Sequence, residues 1–345
     1  MKKIVKQVVG IDIAQKELVV SLGKMYDDWT PELYAGKTFP NTQKGFILLV
    51  SWVKKLTEES HGVRYVMEAT GVYHEQLAFF LEEKGYEVTI VLPNKISNYF
   101  RTLSVKSLTD NTSAEAIAMF GLEKKLESWK RPKKIYRSLR QLTRERDQIV
   151  QERTMVKNQL HAEQAEADPN PSSMERIKKR IRFLNKQENE IKSEITALAK
   201  TDEEVNKAVK ITSSVTGIGV LTAATVLAET NGFELIRNKR QLSSYAGYDV
   251  IEKQSGTSVK GRSRISKRGN KYLRKAMHLP ALAATRHDQR FKAVYARLVA
   301  KHGIKMKAAV AVQRKLLEMM YTVYKSNTPY DKNYLRRNDT VGADL

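Results

Sequence analysis

Three carboxylates stand where an α/β chain can bring acids together. Asp12 closes the apolar run VVGIDIAQ, Glu68 closes VRYVMEATG, and Asp110 opens the helical stretch SLTDNTSAEAIA. Acids at the ends of adjacent strands and at a neighbouring helix start can converge on one point, and hard oxygen ligands with open water positions suit magnesium. Two such ions can activate and stabilise both oxygens of an in-line phosphoryl displacement. Asp110 also reads as a plain helix N-cap, whereas Asp12 is costly to bury unpaired in an otherwise apolar strand. A second stretch, residues 248–275, holds nine Lys or Arg against Asp249 and Glu252, interleaved with glycines and hydroxyl residues. Such a segment suits phosphate: Lys260, Arg262, Arg264, Lys267, Arg268, Lys271 and Arg274 would neutralise a backbone and release its counterions. In its middle sits Ser255, either a phosphate contact or a nucleophile whose attack on a phosphodiester the cations stabilise.

These residues need elements to position them. Residues 4–13, 17–22 and 32–39 read as three consecutive strands. They are followed by a helix at 42–56, a strand at 63–67, a helix at 73–84, a strand at 87–92 and a helix at 111–126. That order predicts an α/β mixed sheet with helices on both faces. Ile135, Leu139, Leu142, Arg146, Ile149, Arg153, Val156 and Leu160 step by four and three, as do Met174, Ile177, Ile181, Leu184, Glu188, Ile191, Ile195 and Leu198. Two such seams joined by Asp168-Pro169-Asn170-Pro171 predict an antiparallel coiled-coil hairpin ~40 Å long. Ser172 with Glu175 reads as the capping box of its second helix. Arg146 and Arg153 either snorkel from the seam or turn it toward another chain or a nucleic acid. Gly217-Ile218-Gly219 before an alanine-rich helix resembles the turn of a helix-hairpin-helix, presenting backbone amides to a DNA phosphate; a plain tight turn is the alternative. Helices then run from 272 to about 325. The expected divisions are an α/β domain at 1–130, the hairpin at 131–203, a mostly helical domain at 204–326 and a flexible tail at 327–345.

The net charge of +23 over 345 residues points to nucleic acid, with an anionic membrane surface as the weaker alternative. The absence of cysteine excludes disulfides and thiolate metal sites. No uncharged run reaches the ~18 residues a membrane span needs, and the start reads as a strand rather than a signal peptide. A cytoplasmic, nucleoid-associated protein is expected.

GIDIA, MEATG and TD, then a helical hairpin, then GIG, YAG, SG and ISKRGNKYLR stand in one order over nearly the whole chain. In that combination the sequence resembles the bridge-RNA-guided transposases of bacterial insertion sequences, the insertion-sequence one-ten family. The resemblance implies a RuvC-like, RNase H-type domain, a coiled coil and a transposase domain with a catalytic serine. It also implies a noncoding guide RNA that pairs with donor and target DNA, and a tetramer with composite sites between the RuvC-like domain of one subunit and the serine domain of another. Matched position by position, the family's acids fall on Asp12, Glu68 and Asp110 and its serine on Ser255. The usual fourth acid is Ser113 here, so a three-carboxylate site should hold magnesium more weakly. The reading that follows is a recombinase forming a phosphoserine link to DNA. Its alternatives are a metal-dependent junction endonuclease without a covalent intermediate, and a non-catalytic RNA- and DNA-binding scaffold.

Overall fold

The computed structural model describes residues 2–58, 61–69, 71–103, 107, 109–234, 236–252, 254–255, 259–261 and 264–333, without the side chains at 254, 255, 259 and 260. It divides into two compact units, Met1–Arg131 and Pro132–Leu345.

The first unit runs β1 (Ile4–Ile13), β2 (Glu17–Tyr26), β3 (Pro31–Pro40), α1 (Gln43–Leu56), β4 (Val63–Glu68), α2 (Glu75–Glu83), β5 (Glu87–Val91), α3 (Pro93–Phe100) and α4 (Asp110–Glu123). The five strands form one mixed sheet in the order β3-β2-β1-β4-β5. The first three pair antiparallel, and β4 and β5 join parallel to β1 after helical crossovers. Side chains of β1 alternate between faces. Val9, Ile11 and Ile13 enter a core with Phe46, Leu49, Leu77 and Leu81 of α1 and α2, while Val8 enters the opposite core with Ile117 and Phe120 of α4. The mixed sheet expected from the sequence is therefore present. The short helix α3 was not foreseen; Pro93 starts it by presetting φ at its first position.

The second unit continues with α5 (Lys134–Gln164), α6 (Pro171–Lys200), α7 (Glu203–Ser213), α8 (Val220–Glu229), α9 (Lys239–Ala246), β6 (Val250–Ile251), β7 (Gln254–Ser255), β8 (Val259–Lys260), β9 (Arg264–Ile265), α10 (Lys271–Ala276), α11 (His278–His287), α12 (Gln289–His302) and α13 (Lys305–Ser326). Helices α5 and α6 fold back on each other, and their buried seam residues Leu139, Ile149, Val156, Leu184, Ile191 and Ile195 share one core with the helices that follow. The seam arginines neither snorkel nor turn outward. Arg146 donates to Glu188 at 2.8 Å, Arg153 donates to Glu188 and to Asn185 at 3.0 Å, and Lys192 adds a third cation at 3.0 Å. Burial alone would raise the Glu188 carboxyl, but its bonds to Lys192, Arg153 and Arg146 outweigh that and hold it down at about 2.

Two local expectations need correction. The cap of α6 is Asn170, whose side chain accepts from the amides of Ser172 and Ser173; Pro171 fills the first helical position, and Glu175 pairs with Arg182 instead of closing a capping box. The start of the expected tail is tied down. Tyr330 donates its hydroxyl to Asp288 at 2.8 Å and its amide to Ser214 at 2.7 Å, and Arg290 donates to the carbonyls of Asp331 and Lys332. Residues 334–345 lie outside the described residues.

Candidate active site and nucleic-acid interface

Small residues set how closely α4 can lie on the sheet. A Cβ on Gly10 would stand 2.3 Å from the Ala118 amide nitrogen and 2.4 Å from the Ala114 carbonyl oxygen, and one on Gly121 would stand 2.6 Å from Val8. Lys6 fastens the far end of the helix by donating to the carbonyls of Leu122 and Lys124. Contacts at residues 6, 8 and 10 of β1 therefore meet residues 122, 121 and 118 to 114 of α4, so helix and strand run in opposite directions. Continued by one step, that track carries Asp12 toward the start of α4. On the other side, β1 pairs with β4 up to Ile11 opposite Met67, and Asp12 and Glu68 each lie one residue beyond that last rung.

Asp110 is not the cap of α4. Thr109 accepts from the Thr112 amide while the Thr112 hydroxyl accepts from the Thr109 amide, leaving the exposed Asp110 carboxylate at the first helical position without a capping duty. The half-buried Asp12 carboxyl is pushed up to about 6, first by burial, then by the charge of Asp110, then by that of Glu68. A backbone hydrogen bond at Ile13 acts against that rise without cancelling it. The structure thus couples the three acids that the sequence singled out. Ser113 sits half-buried one turn past Asp110, and Glu115 faces the β2–β3 side with Val19, Tyr34 and Lys37.

The donor set suits a divalent cation: three hard oxygen acids, one of them partly desolvated and repelled by the other two. Among the described residues, however, no three acidic or imidazole side chains stand together as the ligands of one ion.

In the second unit, the basic stretch forms an unforeseen β-arm. Val250 pairs with Ile265 and Ile251 with Arg264; nested inside, Gln254 pairs with Lys260 and Ser255 with Val259. Ser255 therefore lies on the innermost described rung. The side chains of Ser255 and Lys260, and all of Arg262, lie outside the described residues. Arg264, Lys267, Arg268 and Lys271 are exposed. Arg274 is spent on the protein itself, donating to the Ala246 carbonyl at 2.7 Å and that of Gly269 at 3.2 Å. Gly217 has a packing duty: at φ +88°, an added Cβ would meet the Pro280 carbonyl oxygen of α11 at 2.6 Å. Gly219 faces open space at the start of α8, which has no side-chain cap.

The root of the arm rests on a cluster that the sequence reading passed over. Glu229, buried at the end of α8, accepts two bonds from Arg144 of α5 at 2.7 and 2.9 Å and one from the Asn270 side chain at 2.6 Å. Asn270 simultaneously caps α10 by accepting from the amides of Tyr272 and Leu273. Arg144 also lies 4.6 Å over the Tyr272 ring. The available signal was a carboxylate closing the otherwise apolar helix LTAATVLAE, since a buried acid requires a cation or donors.

Comparison with known proteins meets this architecture in the same order. Residues 9–163 match a family model described as a transposase, the DEDD domain of IS110 elements, and residues 209–296 match that of the IS116/IS110/IS902 transposase family. Pilin gene-inverting proteins of Moraxella lacunata and Moraxella bovis are each 28% identical over 334 residues, covering 95% of this chain and 98% of theirs. An uncharacterized 43.6 kDa protein of insertion element IS110 from Streptomyces coelicolor is 27% identical over 148 residues, 43% of this chain and 35% of that protein. Among solved structures, T. thermophilus RuvC in complex with a Holliday junction substrate aligns with a TM-score of 0.28 and 10% identity, over 36% of this chain and 99% of that one. The protein is an enzyme of the DNA transposase and recombinase class. It belongs to the IS110 family of transposases. Among the described residues, no helix is long and apolar enough to cross a membrane.

Proposed function

We propose that this transposase recombines donor and target DNA through a phosphoserine intermediate on Ser255, with Asp12, Glu68 and Asp110 as its metal-holding acids. The supporting observation is the acid cluster: Asp12 is raised to about 6 by its burial and by the charges of Asp110 and Glu68, a perturbation of the kind phosphoryl-transfer sites use. In the forward step the Ser255 hydroxyl oxygen bonds to phosphorus, the bond from phosphorus to one sugar oxygen breaks, and that oxygen leaves as a hydroxyl after taking a proton. A sugar hydroxyl of the exchanging strand then attacks the phosphoserine, restoring the serine and one phosphodiester. One bond is exchanged for its equivalent in each step, so no external energy source is needed. Bound magnesium would supply charge stabilisation for the oxygens in flight. Arg264, Lys267 and Arg268, exposed beyond the serine arm, would hold the DNA backbone. Lys260, Arg262, Lys271 and the open turn at Gly219 extend that surface in the proposal.

The family resemblance adds a noncoding guide RNA and a tetramer in which acids of one subunit serve the serine of another. Transesterification is favoured over hydrolysis because the Moraxella relatives are named for inverting a gene, an outcome that requires cut ends to be rejoined. The test is a recombination assay with guide RNA and both DNAs, read on denaturing gels for protein covalently attached to DNA. Wild type is expected to form the adduct and the product. Ser255→Ala should form neither, and Asp12→Asn should lose the product. Undiminished exchange by Ser255→Ala, or strand cleavage that never yields an adduct, would overturn the proposal.

A further inference from the structure

A groove opens at the root of the Ser255 arm, between β6, β9, the end of α12 and the start of α13, with a volume of about 460 Å³. Its floor is apolar, contributed by Val250, Ile265, Leu298, Ile304, Met306 and Val310. Val250, Ile304 and Met306 remain 58%, 52% and 59% exposed, an unusual concentration of uncovered large side chains on a chain of net charge +23. The rim is cationic: Arg264, Lys267, Lys307 and Arg314 line it, and no acidic residue does. Arg314 is paired with Glu318 at 2.8 Å, whereas Arg264 and Lys267 enter no ion pair among the described residues.

We infer that this groove receives an unstacked base of single-stranded DNA, with the flanking phosphates on Arg264 and Lys267. The two parts of the groove match the two parts of a nucleotide. A base offers an apolar face to the floor, and its phosphates offer negative charge to the rim. A second copy of this chain is a poor occupant, because it would bring its own large positive charge against the same cations. The location gives the inference its use, and here it rests on the reading that Ser255 acts on DNA. Val250, on the groove floor, and Ser255 are five residues apart on one arm, a reach of at most ~17 Å. A base drawn out of the stack within that reach would loosen the duplex beside the bond to be cut and fix the register of the strand, at an unstacking cost of a few kcal/mol.

The test uses the full-length protein without metal, and a labelled single-stranded DNA compared with the same strand made abasic at one position. Because an abasic site keeps its phosphates, the affinity ratio reports the base alone. Wild type is expected to bind the abasic strand on the order of 10-fold more weakly when the gap falls at the groove. Met306→Glu should weaken the intact strand and bring the ratio to one. Ile304→Ser, at an exposed position, should reduce the ratio without introducing a charge, and melting curves confirm that both variants fold. A wild-type ratio of one at every abasic position, a ratio unchanged in both variants, or base dependence seen only with an RNA strand overturns the inference. So does a DNA-free oligomer that Met306→Glu dissociates, which would assign the groove to a second copy. Adduct formation with no base dependence sinks this inference alone. Base dependence with no adduct sinks the phosphoserine reading alone.

Discussion

Replacing Asp12 by Asn should make the protein more stable while abolishing its recombination. The Asp12 carboxyl titrates near 6 in the fold, about two units above a free aspartate, a difference worth ~3 kcal/mol if fully expressed. The side chain is only half-buried, so solvent screening reduces this to roughly 1–2 kcal/mol. The sign follows from proton binding. Below pH ~4 the folded and unfolded states are both protonated and there is no penalty. Between ~4 and 6 the folded state keeps the proton that the unfolded state has lost, and above 6 the folded state bears the full cost of an ionised Asp12. A neutral amide in its place carries no such cost. At pH 7.5 in chelator, thermal melts should place Asp12→Asn above wild type by ~3–6 °C, and the gap should close as the pH is lowered from 6 to 4.5. Added magnesium should raise the wild type preferentially, since only it retains the third acid. A variant that melts at or below wild type at pH 7.5, or a gap independent of pH, would refute the claim that burial and the neighbouring acids together disfavour the ionised Asp12.

Gly10→Ala should force α4 off the sheet, costing ~1–3 kcal/mol as overpacking does and lowering recombination by moving Asp110 from Asp12; urea unfolding and the recombination assay measure both. Arg144→Ala should cost ~3 kcal/mol in urea titration, because it leaves the buried Glu229 with only neutral donors. Glu229→Gln should be milder, since Arg144 is 40% exposed and can take up water. The depressed Glu188 carboxyl contributes stability that is fully present above pH ~4.5 and lost as pH falls toward 2. Glu188→Gln should therefore flatten the acid limb of the stability profile, as read by melting at stepped pH.

The nearness of Asp12, Glu68 and Asp110 was legible in the sequence because β-strand alternation and strand-end position are encoded locally. Asp12 and Glu68 interrupt apolar runs at the places where parallel neighbours end level. The owner of the α4 cap was less legible, since Thr109 and Asp110 are both good caps and only the backbone geometry chooses between them. The Glu188 cluster was half visible: two arginines in one seam and a glutamate in the other were each noted, but pairing them requires the register of the hairpin. The arm around Ser255 escaped altogether, because strands only two residues long are too short to show hydrophobic alternation. What the basic stretch does with its charge was also overread at Arg274, which serves three backbone carbonyls.

The manner in which that arm is moored bears on how the proposed exchange would accommodate both a donor and a target DNA. Its base is locked by Asn270 and Glu229 into a helical floor, while among the described residues its own ladder holds four paired positions. Bending at these described rungs to follow a differently shaped duplex would leave the buried anchorage untouched. Adaptation along the arm and integrity of the domain thus become separable properties, and selection can change one without unsettling the other.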